Sequence, residues 1–195
     1  MSIEGDLRVD GISVRDGFLA PGQVRALVDC AQLRRERGDF VAARIGSERD
    51  RSLQRREEIR GDSTCWITPP LLPAEGALLD DLERLRLELN AHAMLGLFEV
   101  ELHYAWYPPG AGYARHVDQP QGRSQRQVSL LLYLNEEWTS AAGGELRIFH
   151  NGDRHRDIEP IAGRLVCFLT PSREHAVLAT QRDRLSISGW FRTRE

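Results

Sequence analysis

The sequence predicts an α+β protein, a double-stranded β-helix (jelly-roll) core with N-terminal supporting helices. Apolar residues in the first third of the chain recur at helical spacing. From Glu99 onward they alternate at period two, in short runs closed by Gly, Pro, Asn or Asp. The size, 195 residues and 22.1 kDa, makes one compact core the default.

The helices come first. After Ala20-Pro21-Gly22, the residues Val24, Leu27, Val28 and Ala31 share one side, with Phe18 and Leu19 ahead of them, which predicts an amphipathic helix over 21–36. Leu78, Leu79, Leu82, Leu85, Leu89 and Leu95 repeat the pattern between Glu75 and Leu95, a second helix packed on the first. Between them, Phe40 to Ile45 reads as a short strand. Gly46 to Gly61 then holds Arg49, Arg51, Arg55, Arg56 and Arg60 among acids with hardly any apolar residue. A solvated loop is the ordinary reading of such a run, and a lid over a substrate is the alternative.

The strand signals begin with Val100, Leu102, Tyr104 and Trp106 on one face and Glu101, His103, Ala105 and Tyr107 on the other. Further runs follow at 127–135, 145–149, 164–169, 175–178 and 184–191. Six short strands with turn signals between them mean a sandwich or barrel. Neither an internal repeat nor a low-complexity segment competes with this reading.

Composition narrows the function classes. Apolar residues at 41% and charged ones at 28% describe a globular chain, and a formal charge of −3 gives no basic surface for nucleic acid. All 26 basic residues are arginine, so Schiff-base and P-loop lysine chemistry are excluded. Codon bias of a GC-rich bacterial genome is a sufficient reason for that. Cys30, Cys65 and Cys167 are odd in number and scattered, which offers neither a disulfide framework nor a metal knuckle and suits a reducing cytoplasm. Residues 1–15 carry acids and no apolar h-region, and no stretch of eighteen apolar residues follows, so neither secretion nor a membrane span is expected.

The chemistry rests on few residues. His116-x-Asp118 places two metal donors at one strand end, a pair that also arises by chance. His175 lies 57 residues past Asp118 at the start of a later strand, about where a sandwich returns to the same mouth. Two imidazoles and one carboxylate form the facial triad of non-haem Fe(II) oxygenases, with positions open for substrate oxygens and O2. Any one of these histidines alone would ordinarily be a surface or hydrogen-bonded core residue. Arg184 shares a strand face with Ser186, Ser188 and Trp190, opposite Leu185, Ile187 and Phe191. If that polar face is interior, its guanidinium must meet a carboxylate from the protein or from a ligand, for which its planar fork offers bidentate contact. Tyr133 and Ser188 would add hydroxyls to the same carboxylate, although Tyr133 also reads as a core aromatic. Gly143-Gly144 reads as a structural tight approach before a strand, and Cys167 as a small packed apolar residue.

The stretch from Tyr107 to Asp118 resembles the iron- and 2-oxoglutarate-dependent prolyl hydroxylases of the hypoxia-inducible-factor type and their bacterial relatives. The likeness extends through Tyr133-Leu134-Asn135, Trp138, Gly143 to Ile148, Asp157 to Pro160, Gly163-Arg164-Leu165, His175, Arg184 and Trp190. Upstream it includes Ile59 to Asp62 and Trp66, so that it covers about residues 40–192. It implies one dioxygenase domain over 1–195, with helical support over 18–95 and a jelly-roll core over 97–192. Fe(II) would be held by His116, Asp118 and His175, and 2-oxoglutarate by Arg184 and Tyr133 with Tyr107, Leu146, Ser188 and Trp190 lining its pocket. Arg60, Asp62, Tyr113 and Arg115 would contact a protein or peptide carrying the target proline, the first two on a mobile segment that folds over it. The implied reaction consumes O2 and 2-oxoglutarate, releases succinate and CO2 and hydroxylates a prolyl carbon, with ascorbate as a further cofactor. A monomeric, cytoplasmic enzyme with no nucleic-acid or membrane partner is expected.

Three departures bear on substrate. The glycine-rich turn before Tyr113 is one residue shorter than in animal members, and His103 stands where the family usually places an apolar pocket residue. The sequence ends at Glu195, short of the C-terminal helix that frames the substrate entrance in those members. A free amino acid or small metabolite as substrate, or a jelly roll that binds iron and 2-oxoglutarate without turnover, stays open from sequence.

Overall fold

The computed structural model describes residues 2–44, 56, 58–118, 125–150, 152 and 154–194. Arg49, Arg51 and Arg55 of the arginine-rich run, and with them most of the expected lid, lie outside the described residues, as does Ile45. The elements in chain order are α1 (Ile3–Val9), β1 (Ile12–Arg15), α2 (Pro21–Glu36), β2 (Val41–Ala42), β3 (Ser63–Trp66), α3 (Pro73–Ala93), β4 (Leu97–Tyr107), β5 (Tyr113–His116), β6 (Arg126–Tyr133), β7 (Leu146–His150), β8 (Arg154–Ile158), β9 (Leu165–Leu169), β10 (His175–Val177) and β11 (Arg184–Thr193). Among the described residues no helix is long and apolar enough to cross a membrane.

The strands form two antiparallel sheets, a seven-stranded one in the order β1-β9-β6-β11-β4-β3-β2 and a four-stranded one in the order β5-β10-β7-β8. This is the jelly roll that the sequence predicts, with more strands than the six read from alternation. The large sheet is covered on both faces. Leu130 and Leu132 of β6, Leu185, Ile187 and Phe191 of β11 and Leu102 and Tyr104 of β4 join one apolar cluster with Leu27 of α2 and Leu78, Leu82 and Leu89 of α3. The alternate residues Leu131 and Tyr133 pack between the sheets with Leu146, Ile148, Val166 and Phe168. Burial of both faces explains why Leu130-Leu131-Leu132-Tyr133 is continuously apolar rather than alternating.

Both long helices begin with Pro at their first position, where its missing N–H costs nothing. The Ala20 N–H donates to Gln23 Oε1 at 2.9 Å, and the Leu72 N–H to Glu75 Oε2 at 2.9 Å, so a side chain three residues on caps each helix. Met94 ends α3 in the left-handed region. Asn90 then exchanges two 2.7 Å hydrogen bonds with the backbone of Leu97, which fixes the entry into β4.

The two helices are also tied by charge. Arg34 of α2 donates from Nε and Nη2 to the two oxygens of Glu75 at 2.6 and 2.7 Å, and both residues are buried. Burial alone would raise the Glu75 carboxyl, but the hydrogen bonds from Arg34 and the Leu72 N–H outweigh it and hold it below its ordinary value of 4.5. Breaking a buried pair by removing one partner typically costs about 3–5 kcal/mol, because the other charge stays behind. Glu75→Gln should therefore lower stability to urea by about 3 kcal/mol at pH 7. Since the folded carboxyl titrates below the unfolded one, that contribution is full above about pH 4.5 and fades as pH falls below it. The deficit of the variant should shrink in acid, and a deficit that is the same at pH 4 and pH 7 would remove the pair from this role.

Candidate functional site

Two strands of the small sheet, β5 and β10, and the turn after β5 bring the predicted donors together. His116 ends β5 and His175 starts β10, and the two are direct partners in the β5–β10 register. Asp118 follows two residues after His116, and one donor atom from each of the three lies within 4.8 Å of the others. Both imidazole Nε2 atoms face Asp118 Oδ1, at 3.5 Å from His116 and 3.6 Å from His175.

The backbone sets the protonation of these rings. His116 Nδ1 lies 2.7 Å from the Ala114 carbonyl and His175 Nδ1 lies 3.2 Å from the Arg173 carbonyl. A carbonyl only accepts, so each Nδ1 carries a hydrogen, and each ring turns toward Asp118 its Nε2, the nitrogen whose lone pair would bind a metal. Metal-binding histidines are oriented in this way. Burial lowers the affinity of His175 for a proton, which keeps that lone pair free. Burial also opposes the charge on Asp118, but His175, His116 and a 2.7 Å hydrogen bond from Ser129 Oγ outweigh it and hold the carboxyl far below its ordinary range. Ser129 Oγ in turn lies 2.9 Å from Thr170 Oγ1. Two lone-pair nitrogens and an ionised carboxylate, each held by a second partner, fit a divalent first-row metal.

Arg184 occupies the interior at 0% exposure, as the polar face of its strand implies. It starts β11 opposite Tyr107 in register, and its guanidinium lies 5.1 Å from the Tyr107 ring and 5.2 Å from the Tyr133 ring. One side of the fork is already occupied. Nε donates to the Gly144 carbonyl at 2.8 Å, and Nη1 to Ser186 Oγ at 3.3 Å. Arg184 Nη2 and Tyr133 Oη are buried with no hydrogen-bond partner among the described residues. Nη2 and the Tyr133 phenol together form a cradle beside the guanidinium edge that stays available. A carboxylate end of a small acid is a ligand that would satisfy both donors at once. Leu146 packs beside Tyr133, and Ser188 and Trp190 continue the same face of β11 away from Arg184.

The remaining predicted residues fall into two groups. Arg60 grips Asp62 through both oxygens at 2.7 and 3.0 Å, and its guanidinium lies 4.8 Å over the Tyr113 ring, which stacks on His116 at 3.6 Å. Arg60, Asp62 and Pro108 border a cleft of about 410 Å³, so these residues join the triad to an open cleft. Arg115 points elsewhere. It is exposed, donates from Nε to Glu174 at 3.0 Å and lies 4.0 Å over Phe149. The three cysteines are buried and free, and burial pushes the Cys167 thiol up to about 12.

Sequence reading missed Ser129, Asn135 and the carbonyl of Gly144. A lone hydroxyl in the buried run Val128 to Leu132 was the available signal for Ser129. Asn135 accepts from the Leu185 N–H at 2.7 Å and donates to the Pro160 carbonyl at 2.9 Å, pinning the chain beside Arg184. Gly144 has φ +70°, and a Cβ there would meet Arg184 Cδ and Thr180 Cβ at 3.1 Å. The left-handed backbone and the close approach both require glycine, and what they deliver is a carbonyl aimed at Arg184 Nε.

The 2OG-Fe(II) oxygenase superfamily matches residues 102–192. Human "Egl nine homolog 1" is 32% identical over 191 residues, 93% of this chain and 43% of that protein; the chain spans about half the length of the Egl nine homolog 1 relatives it matches. Mouse "Prolyl hydroxylase EGLN3" is 33% identical over 176 residues, 79% of this chain and 72% of the relative. A crystal structure of a Pseudomonas putida prolyl-4-hydroxylase is 40% identical with a TM-score of 0.89, covering 99% of this chain and 98% of the other. A Trichoplax adhaerens prolyl hydroxylase, solved with a peptide fragment of the hypoxia-inducible-factor oxygen degradation domain, is 26% identical with a TM-score of 0.87, covering 97% and 87%.

Gly144→Ala should weaken the binding of a dicarboxylate about tenfold by turning the carbonyl away from Arg184 Nε, with little loss at the metal triad. Calorimetry with 2-oxoglutarate and separately with a divalent metal checks both, and unchanged 2-oxoglutarate binding would free Gly144 from this role.

Proposed function

The chain belongs to the 2OG-Fe(II) oxygenase superfamily, and from that premise we propose that it hydroxylates a prolyl residue in a protein loop. The observation that carries the reading is the pairing of two halves in one interior, a His116–Asp118–His175 donor set and, on the same side of the large sheet, the unpartnered Arg184 Nη2 and Tyr133 Oη.

In this reading His116 Nε2, His175 Nε2 and an Asp118 oxygen hold Fe(II), and Arg184 with Tyr133 holds the distal carboxylate of 2-oxoglutarate. Bound together, iron and 2-oxoglutarate supply the oxidising power of O2, one oxygen atom entering succinate as CO2 leaves and the other entering the substrate C–H bond. The protein's part is placement. Carbonyls of Ala114 and Arg173 fix the imidazole tautomers, Ser129 fixes the carboxylate, and Gly144 with Ser186 fixes the guanidinium. Tyr107 closes the pocket beside Arg184, and Leu146, Ser188 and Trp190 line it. These side chains replace water around the reacting groups with oriented dipoles.

Arg60 and Asp62 border the cleft, Tyr113 bridges from Arg60 to His116, and these three form the peptide-contacting side, with Arg115, turned toward Glu174 and Phe149, at its outer margin. The relative solved with a peptide fragment supports a peptide over a free amino acid here. The whole chain acts as one domain, 18–95 supporting a catalytic core at 97–192. We further assign it to a bacterial cytoplasm as a monomer, with ascorbate keeping the iron reduced.

The test is a lysate incubated with the purified protein, Fe(II), ascorbate and 2-oxoglutarate under air. Prolyl residues should gain one oxygen, with one succinate formed for each. Succinate without a modified protein would move the assignment to a small-molecule substrate, and no turnover with any lysate or metabolite pool would leave a binding module. Asp118→Ala should abolish turnover and weaken metal binding, since a neutral methyl replaces the only anionic donor. Arg184→Ala should raise the 2-oxoglutarate requirement about tenfold or more with metal binding intact. Full activity in either variant contradicts the assignment.

A further inference from the structure

A second pair of buried, unpartnered nitrogens lies on the same interior wall as the Arg184–Tyr133 cradle. Among the described residues His103 Nδ1 and Trp190 Nε1 both lack a hydrogen-bond partner. The two rings stack, with centroids 5.5 Å apart and planes 28° from parallel, and Trp66 closes the other side of His103 at 5.0 Å. Burying a polar nitrogen without a partner costs about 1–3 kcal/mol, and native interiors rarely carry such groups in pairs.

Their place along the strands shows what could satisfy them. In the β4–β11 register, Tyr107 faces Arg184, His103 faces Ser188 and Glu101 faces Trp190. Trp190 is also in register with Ser129 of β6, and Ser129 holds Asp118. His103 therefore stands between the level of the guanidinium cradle and the level of the metal donors. It faces inward, because its neighbours Leu102 and Tyr104 pack on the helical side. Burial, followed by the charge of Arg60, lowers its affinity for a proton to about 4, so the ring is neutral and offers one N–H and one lone pair.

We propose that His103 is a co-substrate-binding residue, its Nδ1–H donating to an oxygen on the oxo-acid half of 2-oxoglutarate while the Trp190 Nε1–H donates to the same end. The proposal rests on the assignment of this pocket to 2-oxoglutarate. A ligand that spans from Arg184 to the triad passes His103 with its keto acid end, and no other acceptor is in place for either nitrogen among the described residues. The pocket would then read both ends of the diacid, and His103 would discriminate against diacids that lack the oxo group.

Calorimetry on the Zn(II)-loaded protein, which binds without turnover, tests this with wild type, His103→Asn, His103→Leu and Arg184→Ala. An asparagine amide places an N–H where Nδ1 stood, whereas leucine places none. His103→Leu should weaken 2-oxoglutarate about tenfold, with little effect on glutarate, and His103→Asn should stay within about threefold of wild type. Leucine and wild type binding alike, while Arg184→Ala loses affinity, overturns the role of His103 and leaves the pocket assignment standing. Arg184→Ala binding like wild type instead removes the pocket assignment. A measurement on wild type alone covers a variant that fails to fold: in the nitrogen spectrum of histidine-labelled protein, His103 Nδ1 should shift on adding 2-oxoglutarate. An unmoved resonance at saturation overturns the proposal.

Discussion

A guanidinium removed from water organises this molecule. Arg184 has no exposed surface, and among the described residues its hydrogen-bond partners are the Gly144 carbonyl and the Ser186 hydroxyl, neither of them a carboxylate. Such a group is costly unless an anion completes it. Much of the surrounding structure keeps it aimed nonetheless. The Asn135 bridge fixes where β11 begins, the left-handed turn at Gly143 and Gly144 supplies the acceptor, and the Trp138 indole N–H donates to the Gly143 carbonyl at 3.1 Å to hold that turn. Tyr107 and Tyr133 wall the charge on two sides with ring faces.

The second half of the site is built by register rather than by loops. His116 and His175 are direct cross-strand partners, so the small sheet itself sets the distance between the two imidazoles. The large sheet contributes Ser129 and through it holds Asp118. The triad therefore hangs from the small sheet and is braced by the large one, and a shift of one residue in the β5–β10 ladder would turn a histidine to the other face. This is how a fold with short strands and long connections holds a three-point site: each donor has a backbone or hydroxyl partner of its own.

Most of this was legible where side chains carry the information. Apolar spacing placed α2 at its observed limits and α3 within two residues at each end, and alternation placed β4, β6, β7, β9, β10 and β11. The strands that escaped have physical reasons. In β8, Arg154 to Asp157 are exposed and only Ile158 is buried, so no alternation exists to read. β1, β3 and β5 have four residues each with burial that does not alternate, and the expected strand at 40–45 shrinks to Val41–Ala42. α1, a single helical stretch before β1, buries one leucine. At the site, His116, Asp118, His175 and Arg184 could be named because their side chains act. Ala114, Arg173 and Gly144 act through carbonyls, which every residue has, so position in the fold and not residue type selects them.

The charges of the interior give the two halves a common reason. Arg184 brings one positive charge and Asp118 one negative, and histidines that act as metal ligands through Nε2, with Nδ1 on a backbone carbonyl, add none. A divalent metal at the triad alone would leave two net positive charges in a dry pocket. A dianionic diacid alone would leave two negative ones. The pair together returns the interior to neutrality, and it also satisfies the donors of Arg184 and Tyr133, which the protein leaves unmet. Low dielectric makes each uncompensated charge expensive, so occupancy of either position favours occupancy of the other. The buried arginine and the His116–Asp118–His175 donor set are in this sense the two halves of one charge-balancing arrangement.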